Sequence, residues 1–300
     1  MPLCLPPMQK SDLSRDLFAD PGYVNRLAQA DVARALQEDV GEGDLTAGLV
    51  DAGRRVRARV LARESAVICG GPWAEAAIRA LDPGARIEWQ VGEGQRCAAD
   101  EVVLVVEGSA RALLSAERTA LNFLQLLSAV ATKTATYVEA VRGTGTRIVD
   151  TRKTLPGLRL AQKYAVRAGG GTNHRIGLHD AVLIKENHIA AAGGVTAVLQ
   201  AARAVADRAA FVQIEVETLE QLQEALAAGA SMLLLDNMPL PMLQDAVRIA
   251  AGRAVLEISG GVTLDGLRAL AETGVDRISI GTLTKDVRAV DFSMRMQDIA

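Results

Sequence analysis

Residues 211–237, "FVQIEVETLEQLQEALAAGASMLLLDN", decide the fold. An apolar run of strand length, an amphipathic helical stretch and a second apolar run follow one another with short polar joints. That order is a strand–helix–strand unit, whose two strands lie parallel in one sheet. The same character recurs in "TRIVD" (146–150), "AVLIKEN" (181–187), "AVLEISGG" (254–261) and "RISIGT" (277–282). Ala-rich helical segments lie between several of them: "VTAVLQAARAVAD" (195–207), "MLQDAVRIAAG" (242–252) and "LDGLRALAETG" (264–274). Six such strands predict a TIM-like (β/α) barrel, incomplete rather than fully wound, over residues 129–288.

Residues 1–128 have a different rhythm and predict an N-terminal α+β sandwich domain. "YVNRLAQADVARALQ" (23–37) has helical spacing, and "EDVGEGDLT" (38–46) is a Gly-rich turn. "RVRARVLARESAVICGG" alternates like a strand and stops at Gly70-Gly71, and "PWAEAAIRALD" follows as a helix with Pro72 in its first turn. "RIEWQV", "GEGQ" and "EVVLVVEG" read as strand, hairpin turn and strand. Ala112 to Arg142 is helical, with an apolar stripe at Leu113, Ala120, Leu124, Leu127 and Ala131. Arg118, Asn122 and Gln125 form a polar seam on its opposite flank.

Barrel enzymes build their sites where several strands end. The ends here are Asp150-Thr151-Arg152-Lys153, Lys185-Glu186-Asn187, Glu215, Asp236-Asn237, Ser259-Gly260-Gly261 and Ile280-Gly281-Thr282. Charge is concentrated beside them. From Asp150 to His188 there are seven Lys/Arg against three acids, a net of +4, while the remainder has 26 against 33, a net of −7. All three histidines (His174, His179, His188) also lie in that segment. The pattern predicts a strongly anionic ligand, with Arg152, Lys153, Arg175 and Lys185 as strand-end cations. Arg159, Lys163 and Arg167 follow helical four-residue spacing and read as a helix face of solvated charges or internal ion pairs.

Glycines after the last two strands let backbone amides approach a phosphate, and barrel phosphate sites often occupy those loops. An ordinary turn explains a single such pair equally well; two in succession favour phosphate. Glu215 and Asp236 sit in an otherwise cationic mouth, where acids hold Mg²⁺, ribose hydroxyls or a developing positive charge, or pair with nearby lysines. His174 reads either as a site residue or as a hydrogen-bonded structural histidine, and His179 and His188 carry no assigned role.

The composition narrows the class further. A net charge of −3 and 3% aromatics argue against nucleic acid, which calls for a basic face and stacking platforms. No apolar stretch of membrane-spanning length occurs, and no signal-peptide pattern opens the chain. The first dozen residues are expected to form a poorly ordered leader. Cys4, Cys69 and Cys97 suit small buried hydrophobes in a reduced, cytoplasmic protein. HExxH, GxSxG and Cys/His clusters are absent, leaving zinc and acyl-serine chemistry without support.

The motifs "SAERTALNFLQLLSAVAT", "DTRKTLPGLRLAQKYAVRAGGGTNHRIGLHDAVLIKENH", "IEVET", "LLLDNM", "EISGGVTLDGL" and "TGVDRISIGTLT" closely resemble the quinolinate phosphoribosyltransferase family, over about residues 23–292. The resemblance implies transfer of phosphoribose from phosphoribosyl pyrophosphate to quinolinate with loss of CO₂, giving nicotinate mononucleotide for NAD synthesis, with Mg²⁺. By matching position it implies Arg118, Arg152, His174, Arg175 and Lys185 around quinolinate, with Lys153 between the substrates and Thr151 among the substrate-binding residues. It implies Glu215 and Asp236 at the ribose and Mg²⁺, and Ser259, Gly260, Gly261, Ile280, Gly281 and Thr282 at the 5′-phosphate. It further implies a homodimer, open to higher assembly, in which Arg118 reaches the neighbouring site, and residues 289–300 folding back on the N-terminal domain. Alternatives at this stage are a related barrel phosphoribosyltransferase acting on another anionic base, or a non-catalytic barrel that senses a phosphorylated metabolite.

Overall fold

The computed structural model describes residues 17–299. The expected leader and Cys4 lie outside the described residues. A 3-10 turn at Leu17–Ala19 leads to α1 (Pro21–Asp39), whose start is capped by Asp20 accepting the Gly22 N–H at 2.8 Å. The N-terminal layer continues through β1 (Arg55–Ala62), β2 (Ala66–Val67), α2 (Gly71–Leu81), β3 (Arg86–Trp89), β4 (Arg96–Cys97), β5 (Val102–Ser109) and α3 (Ala110–Ala140). β1 alternates exposed and buried residues along its length, the signature of an antiparallel strand with one face on the core. It pairs antiparallel with β5, and β5 with β3.

Two local expectations are corrected. The stretch 55–71 is not one strand: it breaks at Arg63–Ser65, and β2 leaves the main sheet. The residues between β3 and β5 are not a simple hairpin turn either, because β4 forms there and pairs with β2 as a separate two-stranded sheet. Gly94, at φ +76°, lies in the turn that leads into β4, where Cys97 is buried opposite Ala66.

α3 is 31 residues long and runs without a break past residue 128. The whole apolar stripe at Leu113, Ala120, Leu124, Leu127 and Ala131 is buried. The barrel follows as β6 (Arg147–Val149), α4 (Arg159–Ala168), β7 (Val182–Ile184), α5 (Glu186–Ala192), α6 (Val195–Ala206), β8 (Val212–Val216), α7 (Leu219–Ala227), β9 (Met232–Asp236), α8 (Leu240–Ala250), β10 (Val255–Ser259), α9 (Leu267–Ala271), β11 (Arg277–Ser279) and α10 (Thr282–Lys285). Its six strands form one sheet in the order β6-β11-β10-β9-β8-β7, parallel throughout. Strands such as β9, "MLLLD", are apolar at successive positions because parallel strands are covered on both faces.

The register is level: Val149 pairs with Ser279, Ile258 with Ile278, Ser259 with Asp236, Val216 with Leu235 and Ile184 with Ile214. Six strand ends therefore reach one rim. β6 and β7 are the two edges, and on that side a single bridge among the described residues, Val149 to Thr172, extends the sheet. Last, β12 (Phe292–Asp298) returns to the N-terminal layer and pairs antiparallel with β1, giving a sheet ordered β12-β1-β5-β3.

Cys69 and Cys97 are buried free thiols. No single described helix is long and apolar enough to cross a membrane. The two layers are joined by aromatic contacts: Tyr164 of α4 lies 5.3 Å from Trp73 of α2 and 5.6 Å from Phe18. Trp73 is fully buried and its indole N–H donates to Asp31 Oδ2 of α1 at 2.9 Å. Asp31→Ala leaves that donor buried without an acceptor, an expected loss of about 1–3 kcal/mol in denaturant unfolding. Asp31→Asn keeps an acceptor and costs less. Equal losses in the two variants would show that the indole bond is not the reason.

Candidate active site

The rim carries a network that begins below it. Asp150, at the end of β6, and Lys163, on α4, are both fully buried and form an ion pair. Asp150 also accepts the His174 N–H at 2.8 Å and the Asn173 side-chain amide at 2.6 Å, while Lys163 donates to the His174 carbonyl at 3.0 Å. Burial raises the Asp150 carboxyl and lowers the Lys163 ammonium from their ordinary values, and their attraction opposes both shifts. Four bonds satisfy the pair, the condition under which such a pair survives burial.

This arrangement fixes His174. Its Nδ1 accepts the Arg175 N–H at 2.8 Å, so Nε2 carries the proton and donates to Gln213 Oε1 at 2.8 Å. Glu257 Oε1 lies 3.4 Å from the same Nε2. Burial lowers the imidazole pKa, against the pull of Glu257. Both ring nitrogens are thus occupied, and Nδ1 holds the backbone of Arg175. Glu257 is in turn neutralised by Arg277 Nε at 2.8 Å and bonded to the Ser279 hydroxyl.

The site cations gather above. Arg175 is buried, with Nη1 donating to the Ala181 carbonyl at 3.3 Å. Burial lowers its pKa first and the like charge of Arg152 second. Arg152 Nε is buried and has no partner among the described residues. The Lys153 N–H donates to Thr151 Oγ1 at 3.1 Å, and its side chain lies along Gly281, where an added Cβ would fall 2.9 Å from Lys153 Cδ. Lys185 donates to Glu215 Oε2 at 2.9 Å.

Glu215 and Asp236 end adjacent strands, β8 and β9. Burial raises the Glu215 pKa; Lys185 opposes this, and Asp236 and Glu186 add to it as like charges. Asp236 accepts the Asn237 amide at 2.7 Å, and Asn237 adopts φ +52°. Gly260 has φ +101°, and a Cβ there would collide with Asn237 Oδ1, so glycine is required. The N–H groups of Gly260, Gly261, Gly281 and Thr282 have no internal acceptor among the described residues. Ile280 is different: its N–H donates to the Val149 carbonyl at 2.9 Å and its side chain is buried. Its expected backbone contact to phosphate is therefore corrected to a place in the sheet.

Arg118 is exposed on α3 and, among the described residues, has no hydrogen bond or ion pair to the mouth of its own chain. Around it lies apolar surface: Leu45, Leu49 and Leu114 are exposed, and the loop carrying the first two is tied to α3 by Ser115 to Asp44 at 2.7 Å and Arg111 to the Val50 carbonyl at 2.6 Å.

Sequence reasoning missed the supporting layer. It read Lys163 and Arg159 as a helix face of solvated charges or internal ion pairs, the second of which holds for Lys163, and did not single out Gln213, Glu257 or Arg277. The signal was present as polar residues inside apolar runs, two positions before Glu215 and Ser259, where strand alternation points them the same way. No group of three or more His, Cys, Asp or Glu side chains suited to a metal occurs among the described residues. Two carboxylates on neighbouring strands suit a hydrated Mg²⁺ carried largely by phosphate oxygens, which needs no all-protein cage.

The titration of Glu215 follows from its neighbours. Its carboxyl, followed by ¹³C NMR of labelled glutamate, is expected to ionise above the ~4.3 of a free side chain. Glu186→Gln removes a like charge and moves that midpoint down. An unshifted midpoint in the parent, or an upward move in the variant, would refute the charge assignment.

Comparison with known proteins supplies the family. Residues 44–128 match the N-terminal domain of quinolinate phosphoribosyl transferase and residues 130–295 its C-terminal domain. The chain is 44% identical over 277 residues to the nicotinate-nucleotide pyrophosphorylase [carboxylating] of Mycobacterium leprae, covering 89% of this chain and 96% of that protein. The solved nicotinate-nucleotide pyrophosphorylase of Francisella tularensis superposes with a TM-score of 0.88 at 42% identity, over 91% of this chain and 97% of the other. NadC of Streptococcus pyogenes gives 0.89 at 37% identity, over 96% and 100%.

Proposed function

The chain belongs to the quinolinate phosphoribosyltransferase family, and from that premise we infer a carboxylating nicotinate-nucleotide pyrophosphorylase. It transfers phosphoribose from phosphoribosyl pyrophosphate to quinolinate, yielding nicotinate mononucleotide, pyrophosphate and CO₂ in NAD biosynthesis. The observation that supports the site assignment is the pair Arg152–Arg175 at the rim: Arg175 is buried, and Arg152 holds a buried Nε with no partner among the described residues. A ring with two neighbouring carboxylates supplies the anionic charge that this pair lacks. Lys185 and the partner subunit's Arg118 complete the clamp, with Thr151 at its edge. His174 contributes by placing Arg175.

The reaction then follows the order of charges round the rim. Gly260, Gly261, Gly281 and Thr282 offer amides to the 5′-phosphate, with Ser259 at the first corner. Glu215 and Asp236 face the ribose, where loss of pyrophosphate creates an oxocarbenium-like centre that carboxylates stabilise. Lys153 lies between the substrates and offsets charge on the departing pyrophosphate. Mg²⁺, when bound, neutralises pyrophosphate charge, with Glu215 and Asp236 as its protein partners, directly or through water. The pyridine nitrogen attacks the ribose carbon and becomes cationic. Loss of the adjacent carboxylate as CO₂ leaves its electron pair on the ring carbon, where the neighbouring cationic nitrogen stabilises it until a proton from water replaces the carboxylate.

The assembly is a homodimer with shared sites. Exposed Leu45, Leu49 and Leu114 flank Arg118, the apolar rim expected where α3 meets another mouth. The buried free thiols support a reducing, cytoplasmic setting.

Two experiments test the reading. Incubation with phosphoribosyl pyrophosphate and carboxyl-labelled quinolinate should release one labelled CO₂ and one pyrophosphate per nucleotide; turnover without CO₂ would overturn the assignment. Arg118→Ala and Glu215→Ala chains are each expected to be inactive, yet random mixing should restore about a quarter of wild-type activity, since each mixed dimer regains one of two mouths. No recovery despite demonstrated subunit exchange would place Arg118 in its own chain's site.

A further inference from the structure

α4 carries Arg159 and Lys163 one turn apart. Lys163 is accounted for by Asp150. Arg159 is not explained by the helix it begins: it is the first residue of α4, the N-cap Leu158 contributes no side-chain cap, and a cation at this positive end is electrostatically disfavoured. Nor does an ion pair hold it among the described residues: its hydrogen bonds go to a hydroxyl and two main-chain carbonyls. Nε donates to Thr154 Oγ1 at 3.1 Å, Nη1 to the Ile176 carbonyl at 3.1 Å and Nη2 to the Arg152 carbonyl at 3.4 Å. Each acceptor belongs to a segment bearing a site cation. Arg152 is one of those cations, Thr154 lies two residues beyond it, and Ile176 follows Arg175.

We propose that Arg159 is a positioning residue whose planar fork fixes the separation of Arg152 and Arg175, and thereby tunes the pocket to a ring bearing two adjacent carboxylates rather than one. The inference rests on reading that arginine pair as the dicarboxylate clamp. The fork ties together two loops whose own cations repel, and it does so through carbonyls, which leave the positive charge of the clamp undiminished. A lysine at 159 keeps the charge but is a single point donor and cannot span three acceptors.

Steady-state kinetics of full-length Arg159→Lys and Arg159→Gln, with both substrates varied, test the proposal. The KM for quinolinate should rise about tenfold or more in both, while that for phosphoribosyl pyrophosphate stays within about twofold. Nicotinate, a monocarboxylate, should gain as a competitor relative to quinolinate. Thr154→Val removes one prong without altering charge and should raise the quinolinate KM a few-fold; it decides the matter if the Arg159 variants fail to fold. A wild-type quinolinate KM in Arg159→Lys would show that charge alone suffices and overturn the proposal. So would a parallel rise in both KM values with a lowered melting temperature, or an unchanged KM in Thr154→Val. Failure of the unaltered enzyme to release CO₂ from quinolinate would instead overturn the reading of the site itself.

Discussion

The fully buried pair between Asp150 and Lys163 is the joint on which the site depends. β6 and β7 are the unpaired edges of a six-stranded sheet, so the backbone ladder does not complete the barrel on that side. Side chains cross the opening instead. Asp150 at the end of β6 takes the Asn173 amide and the His174 N–H, and His174 reaches Gln213 of β8. Removing one partner of a desolvated pair typically costs about 3–5 kcal/mol, because the other charge remains buried and unpaired. Here the loss would also free the segment that carries Arg175. Barrel closure and site geometry are thus one problem with one solution.

The same economy governs how positive charge is held at the rim. Carboxylate partners would orient the guanidiniums but also neutralise them. The structure uses carbonyls for several of these tasks: Ile176 and Arg152 for Arg159, and Ala181 for Arg175. Lys185 is the exception, paired with Glu215, and that pair stands where the acidic side of the mouth begins. Orientation and charge are thereby separated, and a polyanion meets cations whose fields are largely unspent.

The sequence made the strand ends legible because runs such as "FVQIEVET" and "SMLLLDN" combine a strand's length with a polar stop, and parallel register then brings the stops together. It also distinguished Arg152 and Lys185 from helix-borne charges by position alone. For Arg159 and Lys163 it left solvated charge and internal ion pairing open, and Lys163 proves to be ion-paired with Asp150. Four-residue spacing says that two side chains share a helix face, but not whether that face meets water or the barrel. Lys163 sits among apolar neighbours in "RLAQKYAVRA", and only the docking of α4 reveals it as fully buried. Ile280 shows the complementary limit: a residue before a glycine corner resembles a ligand contact until the ladder claims its N–H for Val149.

Around the rim, residue types follow strand order rather than chain order. Lys153 at β6 adjoins Gly281 at β11, then Gly260 at β10, Asp236 at β9, Glu215 at β8 and Lys185 at β7, with Arg152 and Arg175 flanking the open side. Glycine corners thus stand between the cations of β6 and the acids of β9. In the proposed reaction this order separates three kinds of charge: phosphate at the glycines, a developing ribosyl cation at the acids, and the dicarboxylate at the open side. Asn237 shows how tightly neighbouring corners are coupled. Its N–H donates to the Ser259 carbonyl at 3.1 Å, its side chain caps Asp236, and its Oδ1 occupies the space a Cβ at Gly260 would need. Asp236 and Gly260, to which the proposed reaction assigns sugar and phosphate, are therefore set by the same residue. A shift in either would move the other, and the distance between ribose and phosphate is fixed by the substrate's own bonds.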